Sequence, residues 1–140
     1  SRDLLDFGKG FYLTSLVEQA KKYAQRFLFQ GDKAYLNQYI LDENLDREYK
    51  IKNFIDYNEE WLDFVALCRL GKQSSKYDMV TGGIADDKVF NTVDLYFSGN
   101  ISKEEALGRL KFIHPNHQIC ILNQEILNKH LHFVKSDEII

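Results

Sequence analysis

Residues 6–14 read Asp6-Phe7-Gly8-Lys9-Gly10-Phe11-Tyr12-Leu13-Thr14. Two glycines flank a lysine, and an aromatic and apolar run follows. Glycine has no Cβ, so Gly-x-Gly ahead of a strand lets the backbone turn sharply and lets another group approach it closely. The reading is a tight turn that feeds a short strand at Phe11–Leu13. Directly behind it, Ser15 and Glu18 have the spacing of a capping box. Leu16, Val17, Ala20, Tyr23, Ala24, Phe27 and Leu28 then recur at helical period, with Lys21, Lys22, Gln25 and Arg26 on the other side. Gly31-Asp32 ends the helix.

Beyond this unit, residues 34–42 read as a strand. Residues 45–54 alternate Tyr49, Ile51 and Asn53 with Glu48, Lys50 and Lys52, which predicts a half-buried strand antiparallel to its neighbour across Glu43-Asn44. Asn58 is placed to cap a second helix, with Glu59 and Glu60 in its first turn and Trp61, Phe64, Val65 and Cys68 as its buried stripe. Gly71 and the polar run 72–76 stop it. Residues 77–80 read as a short buried strand before Gly82-Gly83. A third helix from Asp86 carries Val89, Phe90, Val93, Tyr96 and Phe97 on one side, and Ser98-Gly99-Asn100 breaks it. Ser102-Lys103-Glu104-Glu105 is a second capping box, ahead of Ala106, Leu107 and Leu110. After a turn at His114-Pro115-Asn116, residues 118–122 read as a central strand, 124–130 as a short helix and 132–134 as a last strand. Short strands with variable connections point to an α+β fold rather than a regular βαβ series. The 140 residues are expected to form one domain, 1–140.

The chain is 44% hydrophobic and 28% charged, enough for a sizeable core dominated by ten Phe, eight Tyr and one Trp. Its net charge of −3 argues against a general binder of nucleic acid or anionic membrane, because both need a basic excess. A small basic patch remains at Lys21, Lys22 and Arg26. Cys68 and Cys120 lie far apart in apolar patterns, which reads as two buried thiols in a reducing, cytoplasmic setting. No segment has the roughly 18–20 apolar residues of a membrane span, and no signal peptide is evident. The abrupt start at Ser1, without a Met, suggests that further sequence once preceded it.

Gly8-x-Gly10 is not a dinucleotide fingerprint, since Leu13 stands where a third glycine belongs. His114-x-x-His117 and His130-x-His132 have the look of metal pairs. Pro115 prevents a helical pairing in the first, and no Cys or carboxylate is spaced beside either, so no metal is expected. Lys9 reads either as a phosphate contact or as an ordinary turn lysine. On pattern alone, Tyr12 and Tyr23 are core aromatics.

The segment from Phe7 to Thr14, with the helix behind it, resembles the Gly-Lys-Gly-aromatic-Tyr segment of the ADP-ribosyltransferase fold, and more closely its poly(ADP-ribose) polymerase branch. Nearly the whole chain also resembles a bacterial family of unknown function that joins this start to further motifs. Here these are Glu60-Trp61-Leu62-Asp63-Phe64, Gly83-Ile84-Ala85-Asp86-Asp87 and Gln118-Ile119-Cys120. The resemblance implies a split β-sandwich of two small, mostly antiparallel sheets with flanking helices, lacking its first strand. It implies NAD as substrate, with Gly8 and Gly10 approaching it and Tyr12 and Tyr23 on either side of the nicotinamide ring. Aromatic faces suit a flat pyridinium cation. Ala20 falls where the polymerases carry a serine bonded to the carboxamide, a bond Ala20 cannot make. Gln118 falls where a catalytic glutamate is expected, so Tyr12 and Gln118 are the implied catalytic pair. The triad histidine of the family belongs to an earlier strand, one that would lie ahead of Ser1.

Breaking the nicotinamide–ribose bond develops positive charge on the sugar, which a carboxylate stabilises. Gln118 accepts a hydrogen bond from the 2′-hydroxyl but brings no charge. Asp86 or Asp87 is a candidate for the missing carboxylate, although Asp at a helix start is ordinarily a cap. Three readings follow. The first is a mono-ADP-ribosyltransferase of bacterial type acting on a protein or nucleic-acid acceptor, as in the toxin of a toxin–antitoxin pair with an antitoxin protein as partner. The second is a degenerate module that binds NAD, ADP-ribose or a protein. The third is an interaction protein whose glycine turn is only a turn.

Overall fold

Phe11–Leu13 forms β1 and Val17–Phe29 forms α1 in the computed structural model of the protein, which describes residues 7–71, 76–85, 87–113 and 116–140. The chain continues through β2 (Ala34–Leu41), a 3-10 turn (Leu45–Arg47), β3 (Ile51–Asn53), α2 (Glu59–Arg69), β4 (Met79–Gly82) and α3 (Asp87–Phe97). It ends with α4 (Lys103–Leu110), β5 (Gln118–Ile121), α5 (Gln124–His130) and β6 (Leu131–Ile139). One sheet has the order β1-β5-β4-β3 and a second pairs β2 with β6. Every pairing is antiparallel except β3 with β4. The fold class is therefore α+β with two small, mostly antiparallel sheets and five described α-helices, as the sequence indicates.

β5 lies inside the larger sheet, between β1 and β4, which explains its apolar character on both faces. Tyr12, Cys120 and Val80 are in register across three strands, so their side chains share a face. That face packs on Trp61, Leu62, Val65 and Cys68 of α2, with Val89, Val93 and Leu110 behind them. The opposite face presents Leu13, Ile51, Met79, Ile119 and Ile121 to Leu45, Ile126 and Leu131, which joins the larger sheet to α5 and β6. Asn58 caps α2 as expected, its Oδ1 accepting from the Trp61 N–H at 2.9 Å. Trp61 is fully buried. Neither cysteine forms a disulfide, and both are buried.

Several expectations are corrected. Residues 45–54 do not form a strand beside 34–42. Asn44 takes a left-handed conformation, Leu45 tucks into the core from a 3-10 turn, and only Ile51–Asn53 extends, parallel to β4. A parallel pair needs a long crossover, and α2 supplies it, so β3-α2-β4 is one βαβ unit. The partner of β2 is β6, which is much longer than the expected 132–134 because it pairs along the whole of β2 with one irregularity at Gln38/Tyr39. β4 starts two residues later than expected.

Ser15 is not a capping residue. α1 starts at Val17 with no side-chain cap; Thr14 Oγ1 accepts from the Leu16 N–H at 3.1 Å, and the Ser15 hydroxyl turns to His117 instead. At α4, Ser102 does cap the Glu105 N–H at 3.1 Å, but Glu105 pairs forward with Arg109 rather than back with Ser102. The apolar stripe of α1 is largely exposed: only Ala24 is buried, while Phe27 is 42% and Phe29 is 89% exposed. α1 rests on the narrow β2–β6 sheet, where small Ala24 and Ala34 permit close approach and leave the larger side chains at the margin. Phe90, expected in a buried stripe, is partly exposed beneath the Arg69 guanidinium, 4.2 Å from its ring centroid. Asp6, 72–75, Asp86, the side chain of Asp87, and the His114-Pro115 part of the expected turn lie outside the described residues.

Candidate functional site

The turn that opens the chain is held by its own tyrosine. Tyr12 Oη donates to the Gly8 carbonyl and accepts from the Phe7 N–H at 3.2 Å. Phe7 anchors the other end, fully buried against the rings of Phe54 and Phe64 at 6.0 and 6.1 Å. Gly8 has φ +90, which a side chain would strain. Gly10 is glycine for a different reason. A Cβ there would lie 2.6 Å from Cys120 Sγ and 2.9 Å from the Ile121 carbonyl oxygen. The close approach that Gly10 permits is thus to β5. Lys9 is exposed.

Tyr12 stands opposite Cys120, and Gln118 lies two residues along β5 on the same face. Diagonal neighbours of this kind are roughly 7–8 Å apart. Tyr12 and Gln118 are therefore brought together on one face of the β1–β5 ladder. Burial pushes the Cys120 thiol up to about 11, offset in part by the Tyr12 hydroxyl beside it, so Cys120 stays protonated and unreactive at neutral pH.

Gln118 is buried, and its Nε2 donates to the Gly83 carbonyl at 3.3 Å. Trp61 Nε1 donates to the same oxygen at 3.2 Å, and Tyr57 Oη donates to the Ile84 carbonyl at 2.6 Å. Three side chains from the core thus pin the loop after β4. Gly82 is wedged there, since a Cβ would meet Phe54 Cβ at 2.9 Å. The motif residues Trp61, Gly83 and Gln118, distant in the chain, meet at one carbonyl.

Tyr23 is placed elsewhere. It is 58% exposed on α1, its ring edge-on to Phe27 at 6.2 Å with the Arg26 guanidinium 5.0 Å above it. Ala20 is partly buried on the same helix. Two surface hollows, of about 320 and 450 Å³, are lined respectively by residues around Asp42 and Asn44 and by residues between Tyr57 and Leu110; neither includes Tyr12, Tyr23 or Gln118.

Sequence reading missed a clasp at the end of this ladder. The Gln19 side chain holds the main chain of His117 at both groups, donating from Nε2 to its carbonyl at 2.8 Å and accepting from its N–H at 3.2 Å. Thr14 Oγ1 donates to the same carbonyl at 2.7 Å. Ser15 Oγ lies 2.8 Å from His117 Nδ1. Burial lowers the His117 pKa below its ordinary 6.5, so the ring is neutral at physiological pH. These partners are about a hundred residues apart, and no local spacing could have announced them.

The second histidine pair is explained by Asp42, also missed. Its two carboxylate oxygens meet His130 Nδ1 at 2.9 Å and His132 Nε2 at 3.0 Å, and these bonds, the one from His130 foremost, hold its pKa low. Among the described residues no group of three or more His, Cys, Asp or Glu could hold a metal ion. No described helix is long and apolar enough to cross a membrane.

This is an α+β protein with a glycine-turn tyrosine and a buried strand-head glutamine on adjacent strands. Residues 1–133 match the family described as "Protein of unknown function (DUF3990)", and the chain belongs to that family. No curated protein and no solved structure matches it.

Proposed function

We propose that the protein is an NAD-dependent ADP-ribosyltransferase that transfers one ADP-ribosyl group to a macromolecular acceptor. The observation that carries this reading is the shared face of Tyr12 and Gln118 on paired strands. The resemblance of the Gly8-Lys9-Gly10-Phe11-Tyr12 segment to the transferase fold supplies their roles. Tyr12, only partly buried on the edge strand β1, turns its ring to nicotinamide, and Gln118, buried at the head of β5 on the face that packs on α2, has to swing its carbonyl outward to accept from the ribose 2′-hydroxyl. Departure of nicotinamide leaves an oxocarbenium-like sugar, which the acceptor nucleophile attacks at C1. Gln118 positions the ribose without neutralising that charge, which favours single transfer over chain elongation. A protein acceptor suits the acidic chain better than a nucleic acid, and an inhibitory antitoxin protein fits a transferase of this bacterial type.

A second reading, a module of the same fold that binds NAD or ADP-ribose without turnover, draws support from two features of Gln118. It carries no charge, and its amide nitrogen is engaged with Gly83.

The test is incubation with labelled NAD and cell lysate, with nicotinamide release measured in parallel. Transfer that is lost in Tyr12→Ala is the expected result. Saturable NAD binding without release of nicotinamide would replace the first reading with the second. No thermal shift at millimolar NAD would remove both.

A further inference from the structure

The hollow of about 450 Å³ that neither Tyr12 nor Gln118 lines has two walls. One is residues 56–59, where the chain enters α2, and the other is drawn from 107–113, where α4 ends. Tyr57 and Leu110 are buried and Leu107 and Ile113 half-buried, so the lining is largely apolar. Gly108 stands in the second wall, inside α4, with nothing within 4 Å of the place of a Cβ. No packing contact demands a glycine there, and alanine is the better helix former. The missing side chain leaves room on that wall for a group from outside.

Two large apolar side chains adjoin the hollow in sequence and turn away from the core. Ile55, next to Asp56, is 83% exposed, and Phe112, between Lys111 and Ile113, is 84% exposed. Side chains so open to water gain by burial on association. The walls also differ in charge. Asp56 on one and Lys111 on the other are exposed, and neither has an ion-pair partner among the described residues, whereas the neighbouring Glu59 is held by Lys103 at 3.0 Å. Lys111 Nζ lies only over its neighbour's ring, 5.6 Å from the Phe112 centroid.

A patch that holds both a projecting ring and a hollow, and both an unpaired acid and an unpaired base, is complementary to itself. We propose that this hollow seats a second copy of the chain in a two-fold dimer. In such a contact each residue meets its opposite number twice. Phe112 of each copy enters the hollow of the other, and Asp56 of each faces Lys111 of the other. Because the ring stands beside the hollow rather than across the molecule, the exchange closes as a pair and does not propagate as a filament. α1 exposes more apolar surface, but three of its four charges, Lys21, Lys22 and Arg26 against Glu18, are positive, and two copies meeting there would repel. The dimer is independent of the transferase reading.

The experiment is sedimentation velocity of the chain from about 1 μM to 1 mM, a span that covers weak and moderate pairing. The parent is expected to pass from monomer to dimer as concentration rises. Phe112→Ser, at an exposed position that folding does not need, should raise the dissociation constant about 100-fold, because the ring is lost from both halves of the contact. Asp56→Lys alone and Lys111→Glu alone should each stay monomeric, since like charges then face each other twice. An equal mixture of those two variants should regain the dimer, because both contacts then join opposite charges. A residue that only supports its own chain could not produce that rescue. Melting temperatures at the lowest concentration confirm that all variants fold. A parent that stays monomeric throughout the range, a mixture that stays monomeric, or a dimer unmoved by Phe112→Ser overturns the inference. A dimer kept in Phe112→Ser and lost in Phe29→Ser also overturns it and puts the contact on α1.

Discussion

Gly10→Ala separates the two uses of a glycine in the opening turn. If Gly10 serves β5, one methyl group damages the fold whether or not NAD is present. The new Cβ would lie 2.6 Å from Cys120 Sγ, 2.9 Å from the Ile121 carbonyl and 3.0 Å from Leu122 Cδ2. Cys120 and Ile121 are buried, and the Ile121 carbonyl is backbone, so little can move aside. Overpacking of this kind costs about 1–3 kcal/mol. Unfolding entropy of about 2 cal/mol/K per residue gives a chain of this size roughly 0.3 kcal/mol/K, so the melting temperature should fall by about 3–10 °C. Gly108→Ala is the control. It lies in α4 with nothing within 4 Å of its Cβ. Alanine is the better helix former by about 0.5–1 kcal/mol, so this variant should melt about 2–3 °C higher. Removing the sulfur with Cys120→Ala should lessen the Gly10→Ala penalty without abolishing it, because the carbonyl contact stays. The assay is thermal or urea unfolding of the parent, Gly10→Ala, Gly108→Ala, Cys120→Ala and the Gly10→Ala/Cys120→Ala double variant. Equal melting temperatures for Gly10→Ala and the parent would refute the packing of β1 on β5 described above.

Tyr12→Phe keeps the ring but strips the Gly8 carbonyl and Phe7 N–H of their partner, so it should lose about 1–2 kcal/mol in urea unfolding while NAD turnover falls far less than in Tyr12→Ala. Gln118→Glu places a carboxylate against the Gly83 carbonyl, which should cost about 1–3 kcal/mol by the same measurement. Under the transferase reading its nicotinamide release should nevertheless rise, and a fall would count against the assigned role. His117 adds a pH signature. Its folded-state pKa is lowered, so on acidification through 6.5 the unfolded chain takes up a proton that the folded chain resists, and stability is lost from 6.5 down to the folded-state value. The loss should be small, since the ring is only partly buried, and it should be missing from unfolding curves of His117→Gln.

What could be read from residues alone was whatever is decided locally. Phe11–Leu13 before a helix, Asn58 as a cap, the stripe of α2 and the double-sided apolar run of β5 each follow from period and capping chemistry over a few residues. The errors arose where a distant partner outbid a local one. Ser15 has the spacing of a cap, yet His117 takes its hydroxyl. Residues 45–54 alternate like a hairpin strand, yet β6 takes β2 and β4 takes β3. At the site, Tyr12 and Gln118 were nameable through their motifs, whereas Gln19, Thr14 and Asp42 carry no sequence signal; their meaning comes from partners about ninety to a hundred residues away. Tyr23 shows the opposite case, a residue named through the family resemblance that lies exposed on α1 against Phe27.

The two ladders have a consequence for the order of events in synthesis. β1 pairs with β5 and β2 with β6, so each sheet joins residues about 90 to 110 positions apart. Contacts of that range close large loops before any of their energy is gained, and they form slowly. A ribosome that has delivered α1, α2 and α3 has made the helices but neither completed sheet, and Tyr12 still lacks Cys120 and Gln118. The glycine turn and its tyrosine therefore wait until Gln118–Ile121 has been made, and the candidate site comes into being only as the late strands arrive.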